Sequence, residues 1–267
     1  MWTLGIGLLI GLVLGLTGAG GSVLAVPLLM GGLGYSLPAA SGTSLGAVAS
    51  AAALGVALRW RQHEIVWPLV ALLTAGGVLL SPLGLWLAKA LPQRAVLLSF
   101  VLLMGVMAWR LWQQASAHPD AARAVRAARQ GSAVHQPLCA TQQGAWGWPC
   151  LQRMGLAGAA TGLLSGLYGV GGGFIIVPVL VLWAGLSLAQ AVGVSLAVIA
   201  LIAGSTFGIF MWSSPLPHGF EPVLLGALLG MLLGSALARR IAAPRLQQAL
   251  AALMILLALQ MLIQTVF

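Results

Sequence analysis

The side chains that usually do chemistry are few in this chain, and they stand in the wrong places for it. Asp and Glu together number 3, as Glu64, Asp120 and Glu221, and all lie in loops or at the ends of apolar runs. The 4 histidines, His63, His118, His135 and His218, are likewise outside those runs. A metalloprotease acting within a membrane needs His and acid ligands on one helix. A nucleophilic serine needs a neighbouring base, which Ser41 and Ser165 lack at membrane depth. The 2 cysteines, Cys139 and Cys150, are too few for a metal centre and read as two spare thiols, or at most as a disulfide if their loop faces an oxidising compartment. The sequence therefore argues against an enzyme, and no cofactor or metal is expected.

Backbone is left to do the binding. Gly18, Gly20 and Gly21 interrupt an apolar run over 2–33, and Gly169, Gly171, Gly172 and Gly173 interrupt another over 151–185. A single helix over 2–33 would be about 48 Å long at ~1.5 Å per residue, too long for one crossing of roughly 30 Å of hydrocarbon. Each glycine disfavours helix by about 1 kcal/mol relative to Ala, and Pro27 and Pro178 follow shortly after. Each run thus reads as two half-length helices joined by an unwound turn. The pair either folds back as a re-entrant hairpin or crosses as one broken helix. The second half-helix of each would start near mid-membrane, at Gly20-Gly21-Ser22 and Gly171-Gly172-Gly173. A helix start carries free N–H groups and about half a positive charge, so it attracts an anion without Lys or Arg. Glycine lets an oxyanion come close to the backbone. Hydroxyls stand nearby: Thr17, Ser22, Thr43 and Ser44 in one half, Tyr168 and Ser195 in the other. These hydroxyls and glycines are the candidate substrate-binding set. The plainer alternative is that the glycines only let helices cross. Their recurrence at matching places favours binding.

The elements that must position them follow from composition. Charged residues make up 6% of the 267 residues and hydrophobic ones 60%, against about 25% charged in soluble domains. No segments of alternating polarity suit a β-barrel. Further apolar runs fall at 36–58, 65–88, 95–113, 187–212, 220–238 and 245–266. The fold class is an all-α integral membrane protein. Met1-Trp2-Thr3-Leu4-Gly5 reads as the start of a membrane segment, not as a cleavable signal. The net charge of +9 comes from Lys89 and from arginines at run ends or in one hydrophilic loop, with no basic patch interleaved with aromatics. Nucleic acid is not expected as a partner; the lipid bilayer and a small anion are.

Displacing the sequence by 151 positions lays Gly11 on Gly162, Gly15 on Gly166, Gly18 on Gly169, Gly20-Gly21 on Gly171-Gly172, Val26-Pro27 on Val177-Pro178 and Ser44-Leu45 on Ser195-Leu196. Such self-similarity marks one unit used twice. The units are 1–114 and 151–267, joined by a linker over 115–150 that could carry a short amphipathic helix within Asp120–Gln130. Each unit opens with the glycine-broken segment and continues with three transmembrane helices. If each broken segment returns to its side of entry, Arg59, Arg61, Arg110, Arg123, Arg126, Arg129, Arg153, Arg239, Arg240 and Arg245 share one side, leaving Lys89 and Arg94 on the other. The positive-inside rule favours that division. It makes the halves inverted repeats, with periplasmic termini and a cytoplasmic linker whose cysteines stay reduced. Gly226, Gly230, Gly234 and Ala238, and Gly42, Gly46 and Ser50, recur every four residues, a spacing for close helix packing.

Two stretches then carry a family resemblance. They are Gly15-Leu16-Thr17-Gly18-Ala19-Gly20-Gly21-Ser22 through Val26-Pro27 with Gly42-Thr43-Ser44-Leu45, and Gly166 through Gly173 with Val177-Pro178 and Gly193-Val194-Ser195-Leu196. The chain resembles the TauE/SafE sulfite-exporter family of membrane permeases along nearly its whole length, apart from the 115–149 loop. The resemblance implies a secondary transporter of the bacterial inner membrane that moves sulfite, organosulfonates or related sulfur anions, usually outward. An anion channel with the same glycine filter, or a membrane scaffold, are the alternatives. Ser22 stands where the second half has a third consecutive glycine, so the two half-sites need not be chemically equal. The sequence leaves the anion and the oligomeric state open, a homodimer included.

Overall fold

The computed structural model describes residues 2–18, 20–60, 65–117, 148–182, 184–213, 219–238 and 243–266. Most of the linker, including His118, Asp120, Arg123, Arg126, Arg129, His135 and Cys139, lies outside the described residues, as do His63, Glu64, His218, Arg239 and Arg240. The described residues form helices and no strand: α1 Trp2–Thr17, α2 Gly20–Leu33, α3 Leu37–Arg59, α4 Trp67–Ala90, α5 Gln93–Ala117, α6 Trp148–Tyr168, α7 Gly173–Leu182, α8 Leu188–Ser213, α9 Phe220–Leu237 and α10 Ala243–Val266. Proline in the first turn starts α3 and α4, where a missing N–H costs nothing. Helix α5 runs to Ala117 and α6 begins at Trp148, past the boundaries drawn from sequence at 114 and 151.

Four helices are long and apolar enough to cross a bilayer: α3, α4, α8 within Ala189–Trp212, and α9. Helices α5 and α10 have 25 and 24 residues, also long enough to span roughly 30 Å. Leu79, Leu102 and Leu156 are 75%, 71% and 71% exposed. Apolar surface of that kind is unfavourable in water and suited to lipid. Trp2, Trp60, Trp67, Trp86 and Trp212 are exposed at or near helix ends, where indole rings prefer the headgroup boundary. The chain is an all-helical, multi-pass membrane protein.

Each half opens on a helical hairpin. A Cβ at Gly21 would strike Ile10 O and Leu14 N, and one at Gly32 would meet the Ile6 side chain, so α2 runs back along α1. In the second half Gly172 abuts Thr161. Further along, Ile175 and Val179 share a cavity of about 250 Å³ with Arg153, Leu156, Ala157 and Ala160. At 16, 14 and 10 residues, α1, α2 and α7 reach only about 24, 21 and 15 Å, short of a full crossing.

Glycine seams join the halves. On α1, a Cβ at Gly7, Gly11 or Gly15 would run into backbone at Val223, Ala227 or Met231 of α9. Gly226, Gly230 and Gly234 press back on Leu4, Leu8 and Leu12. The numbers rise together, so α1 and α9 are parallel. Gly158, Gly162 and Gly166 of α6 meet Leu73, Gly77 and Ser81 of α4 in the same way. Helices α3 and α8 run antiparallel, with Gly42 against Phe210, Gly46 against Phe207 and Gly55 against Leu196. The strongest pairings exchange when the halves are exchanged: α1–α9 with α6–α4, and α3–α9 with α8–α4, while α3–α8 and α5–α10 map onto themselves.

Of the two readings of the cysteines, the structure has the disulfide and not the favoured spare thiols: Cys150 is disulfide-bonded, and the chain's other cysteine, Cys139, lies outside the described residues. A disulfide persists in oxidising compartments, which pulls against the cytoplasmic linker that the arginines favour.

Candidate functional site

The interruptions of the two hairpins differ, and one side chain accounts for it. In the first half, α1 ends at Thr17 and Gly18 takes φ +73°. Helix α2 starts at Gly20 because the Thr17 hydroxyl accepts the Gly20 N–H at 2.9 Å while donating to Val13 O at 2.8 Å. Gly20, Gly21 and Ser22 therefore form the first turn of α2, where the sequence placed the start of the half-helix. In the second half the matching residue is Tyr168. Its phenol donates to Ser99 Oγ at 3.1 Å, and its ring lies 5.1 Å from Phe100, so it points at α5 and cannot serve the next helix. The chain stays non-helical from Gly169 to Gly172, with positive φ at Gly169, Gly171 and Gly172, and α7 begins at Gly173. Those dihedrals are readily accessible only to glycine.

Each break is seated on the long helix of the opposite half. A Cβ at Gly18 would run into Val192 of α8, and Ser195 Oγ donates to Gly18 O at 3.4 Å. Gly169 presses on Ser41 of α3, whose Oγ donates to Tyr168 O at 3.3 Å. Val192 and Ser41 are themselves 151 positions apart. A Cβ at Gly171 would lie 3.3 Å from Val48 Cγ1, 3.5 Å from Ile199 Cγ2 and 3.7 Å from Ala203 Cβ. The second break therefore lies against both α3 and α8. Helices α2 and α7 also touch.

The site is buried and uncharged. Ser22, Thr43, Ser44, Thr161, Ser165 and Ser195 are all 0% exposed, and Gly169, Gly171, Gly172 and Gly173 are buried. Thr43 donates to Ala39 O at 2.8 Å and Thr161 to Ala157 O at 2.7 Å, so both hydroxyl protons stay within their own helices. Ser44 Oγ and Ser165 Oγ are buried without a partner. Of the candidate residues, Gly18 and Ser195 meet at the first break, and Gly169, Gly171, Gly172 and Gly173 make or end the second. The Tyr168 hydroxyl turns away. The sequence did not mark Ser41, Val48, Thr161 and Ile199, which pack against the second break, or Ser165, whose carbonyl accepts the Gly169 N–H. Only the displacement of 151 could have pointed to some of them, since 41 maps on 192 and 48 on 199.

A model of the sulfite exporter TauE/SafE family matches residues 3–261. The chain belongs to the TauE/SafE family. It is 31% identical over 251 residues to a "Probable membrane transporter protein" of Xylella fastidiosa strain 9a5c, covering 91% of this chain and 86% of that one. A protein of the same description from strain Temecula1 is 30% identical over the same shares. No solved structure matches the chain. Membership of this family makes the protein a membrane transporter, and the helix breaks lie within the matched residues.

Proposed function

We propose that this TauE/SafE member is a secondary transporter that exports small sulfur-containing oxyanions, such as sulfite or organosulfonates, across the bacterial inner membrane. The anion binds at the helix breaks. The observation that carries this reading is that two short helices, α2 and α7, begin inside the protein and touch one another, with the breaks before them seated on the antiparallel pair α3 and α8. Their amino termini supply partial positive charge without calling on Lys or Arg. The antiparallel run of α3 against its counterpart α8 supports reading 1–114 and 151–267 as inverted repeats, the architecture in which alternating access is a rocking of one unit against the other. The short lengths of α1 and α2 support a re-entrant hairpin in the first unit, and the 10 residues of α7 support the same in the second although α6 has 21; hairpins in both leave each unit with three crossings and both termini on the periplasmic side. On a background with both native cysteines replaced, single cysteines at either terminus should react with an impermeant maleimide added to intact cells. Protection of both termini overturns the inverted assignment.

Energy comes from the membrane potential. Proton-coupled carriers place Asp, Glu or His at membrane depth, and Glu221, the acid among the described residues, is exposed in the first turn of α9. With the cytoplasm negative, expelling one negative charge gains about 2.3 kcal/mol per 100 mV. That favours export roughly 50-fold for a monoanion. In proteoliposomes, a potassium–valinomycin potential negative on the cytoplasmic face should accelerate sulfite or sulfonate exit without a pH gradient. Saturation and acceleration by counter-substrate mark a carrier. Non-saturating flux at channel rates marks a channel, and absence of flux marks a scaffold. Exit that needs a proton gradient and ignores the potential defeats the uniport mechanism.

A further inference from the structure

We infer that the second break alone forms the oxyanion seat, built from the backbone N–H groups of Gly171, Gly172 and Gly173 and the hydroxyls of Ser44 and Ser165, and that it selects monoanions over dianions. The inference rests on the anion-transport reading above and divides its two half-sites into unequal roles. Ser44 lies on the α3 face between Ser41, which presses on Gly169, and Val48, which lies against Gly171. Residues three, four and seven apart share a helix face, so Ser44 is directed at the same break. Ser165 sits one turn beyond Thr161, whose Cγ2 and carbonyl abut Gly172, and so approaches that break from α6.

Helical serines and threonines normally return their proton to a carbonyl three or four residues back. Thr17, Thr43, Thr161 and Thr206 use the fourth, while Ser50, Ser81, Ser99, Ser205 and Ser235 use the third. Ser195 instead donates across to Gly18 O, and among the described residues the buried hydroxyls without any partner are those of Ser44, Ser165 and Thr74. Thr74 is on α4, next to the Leu73–Gly158 contact, and is on neither of the helix faces, of α3 and α6, that carry Ser44 and Ser165. No described residue accepts the N–H of Gly171, Gly172 or Gly173. A cluster of buried, unmated donors with no acceptor calls for a ligand that only accepts. At the first break the counterparts of Gly171 and Ser44 are committed internally, with Thr17 accepting the Gly20 N–H and Ser195 donating to Gly18 O.

The seat contains donors and no cation. Desolvation cost rises with the square of the charge in the Born picture, and neutral donors recover it better for one charge than for two. The ligand class is therefore a singly charged oxyanion, such as an alkanesulfonate or hydrogensulfite, rather than sulfate.

The test measures methanesulfonate efflux from proteoliposomes of the full chain. Ser44→Ala and Ser165→Ala should each raise KM by about 10-fold or more, with the protein still monodisperse in detergent. Thr74→Val should leave KM unchanged. Sulfate should compete at least about 10-fold more weakly than methanesulfonate, and sulfite flux should fall as rising pH converts hydrogensulfite to the dianion. Unchanged KM in both serine variants, or equal competition by sulfate, overturns the inference while leaving anion transport standing. Absence of flux for every sulfur anion overturns the transport reading itself.

Discussion

Gly171→Leu is expected to reduce anion flux at least about 100-fold while the protein still inserts and purifies as a monodisperse species. Two effects combine. The native φ of +73° costs a residue with a Cβ about 1–3 kcal/mol. The new side chain must also grow from a point already 3.3 Å from Val48 and 3.5 Å from Ile199, which sends its bulk across the N–H groups that would face the anion. Gly34→Leu separates the two effects. Gly34 has φ +65° and an added Cβ there meets nothing within 4 Å, so its variant carries the strain without the obstruction and should transport normally. Gly20→Leu should also abolish flux, by a different route. Gly20 is helical, and its Cβ would stand 3.1 Å from Thr17 Oγ1, displacing the hydroxyl that starts α2. Gly20→Ala should thus be milder than Gly171→Ala. Flux through Gly171→Leu equal to that of the native protein would place the anion elsewhere.

The asymmetry behind that comparison shows where sequence reading reaches and where it stops. Apolar runs over 36–58 and 187–212 became helices over Leu37–Arg59 and Leu188–Ser213, because helix length against bilayer thickness is a local constraint. The displacement of 151 reappears in the seats of the two breaks, Gly18 on Val192 and Gly169 on Ser41, although Ser44 and Ser195, alike in type, differ in partner. It failed at Thr17 and Tyr168. Both carry a hydroxyl and so scored alike as candidates, but a threonine oxygen can reach the backbone three residues on and a phenol cannot. The partners of the breaks were also hidden. Val48 and Ile199 look like ordinary apolar helix residues, and only the antiparallel crossing of α3 and α8 brings both to Gly171. Ser165 lacks a base at membrane depth and so does not read as a nucleophile, which says nothing of binding.

The largest effect on the fold should come from glycines whose spacing was legible but whose partner was not. Gly226, Gly230 and Gly234 recur every four residues, and so do Gly7, Gly11 and Gly15; only the structure shows that they face one another. The same seam recurs where Gly158, Gly162 and Gly166 meet α4. Association between helices in lipid draws on close packing rather than on the hydrophobic effect, so separating the backbones removes the main source of cohesion. A Cβ at Gly158 would run into Leu73 backbone and one at Gly162 into Gly77 backbone, neither of which can yield without moving a helix. Overpacking by even one methylene costs about 1–3 kcal/mol, and a leucine adds several. Gly158→Leu and Gly162→Leu should therefore abolish the monodisperse peak in detergent, with alanine intermediate. Gly155 is the control, three residues from Gly158 on the same helix, where an added Cβ meets nothing within 4 Å. Gly155→Leu should migrate and melt like the native protein. Because the α4–α6 seam holds the helix that leads into Gly169, partial loosening in Gly158→Ala should lower flux before it lowers yield. Native stability in Gly158→Leu and Gly162→Leu would show that α4 and α6 do not meet through these glycines.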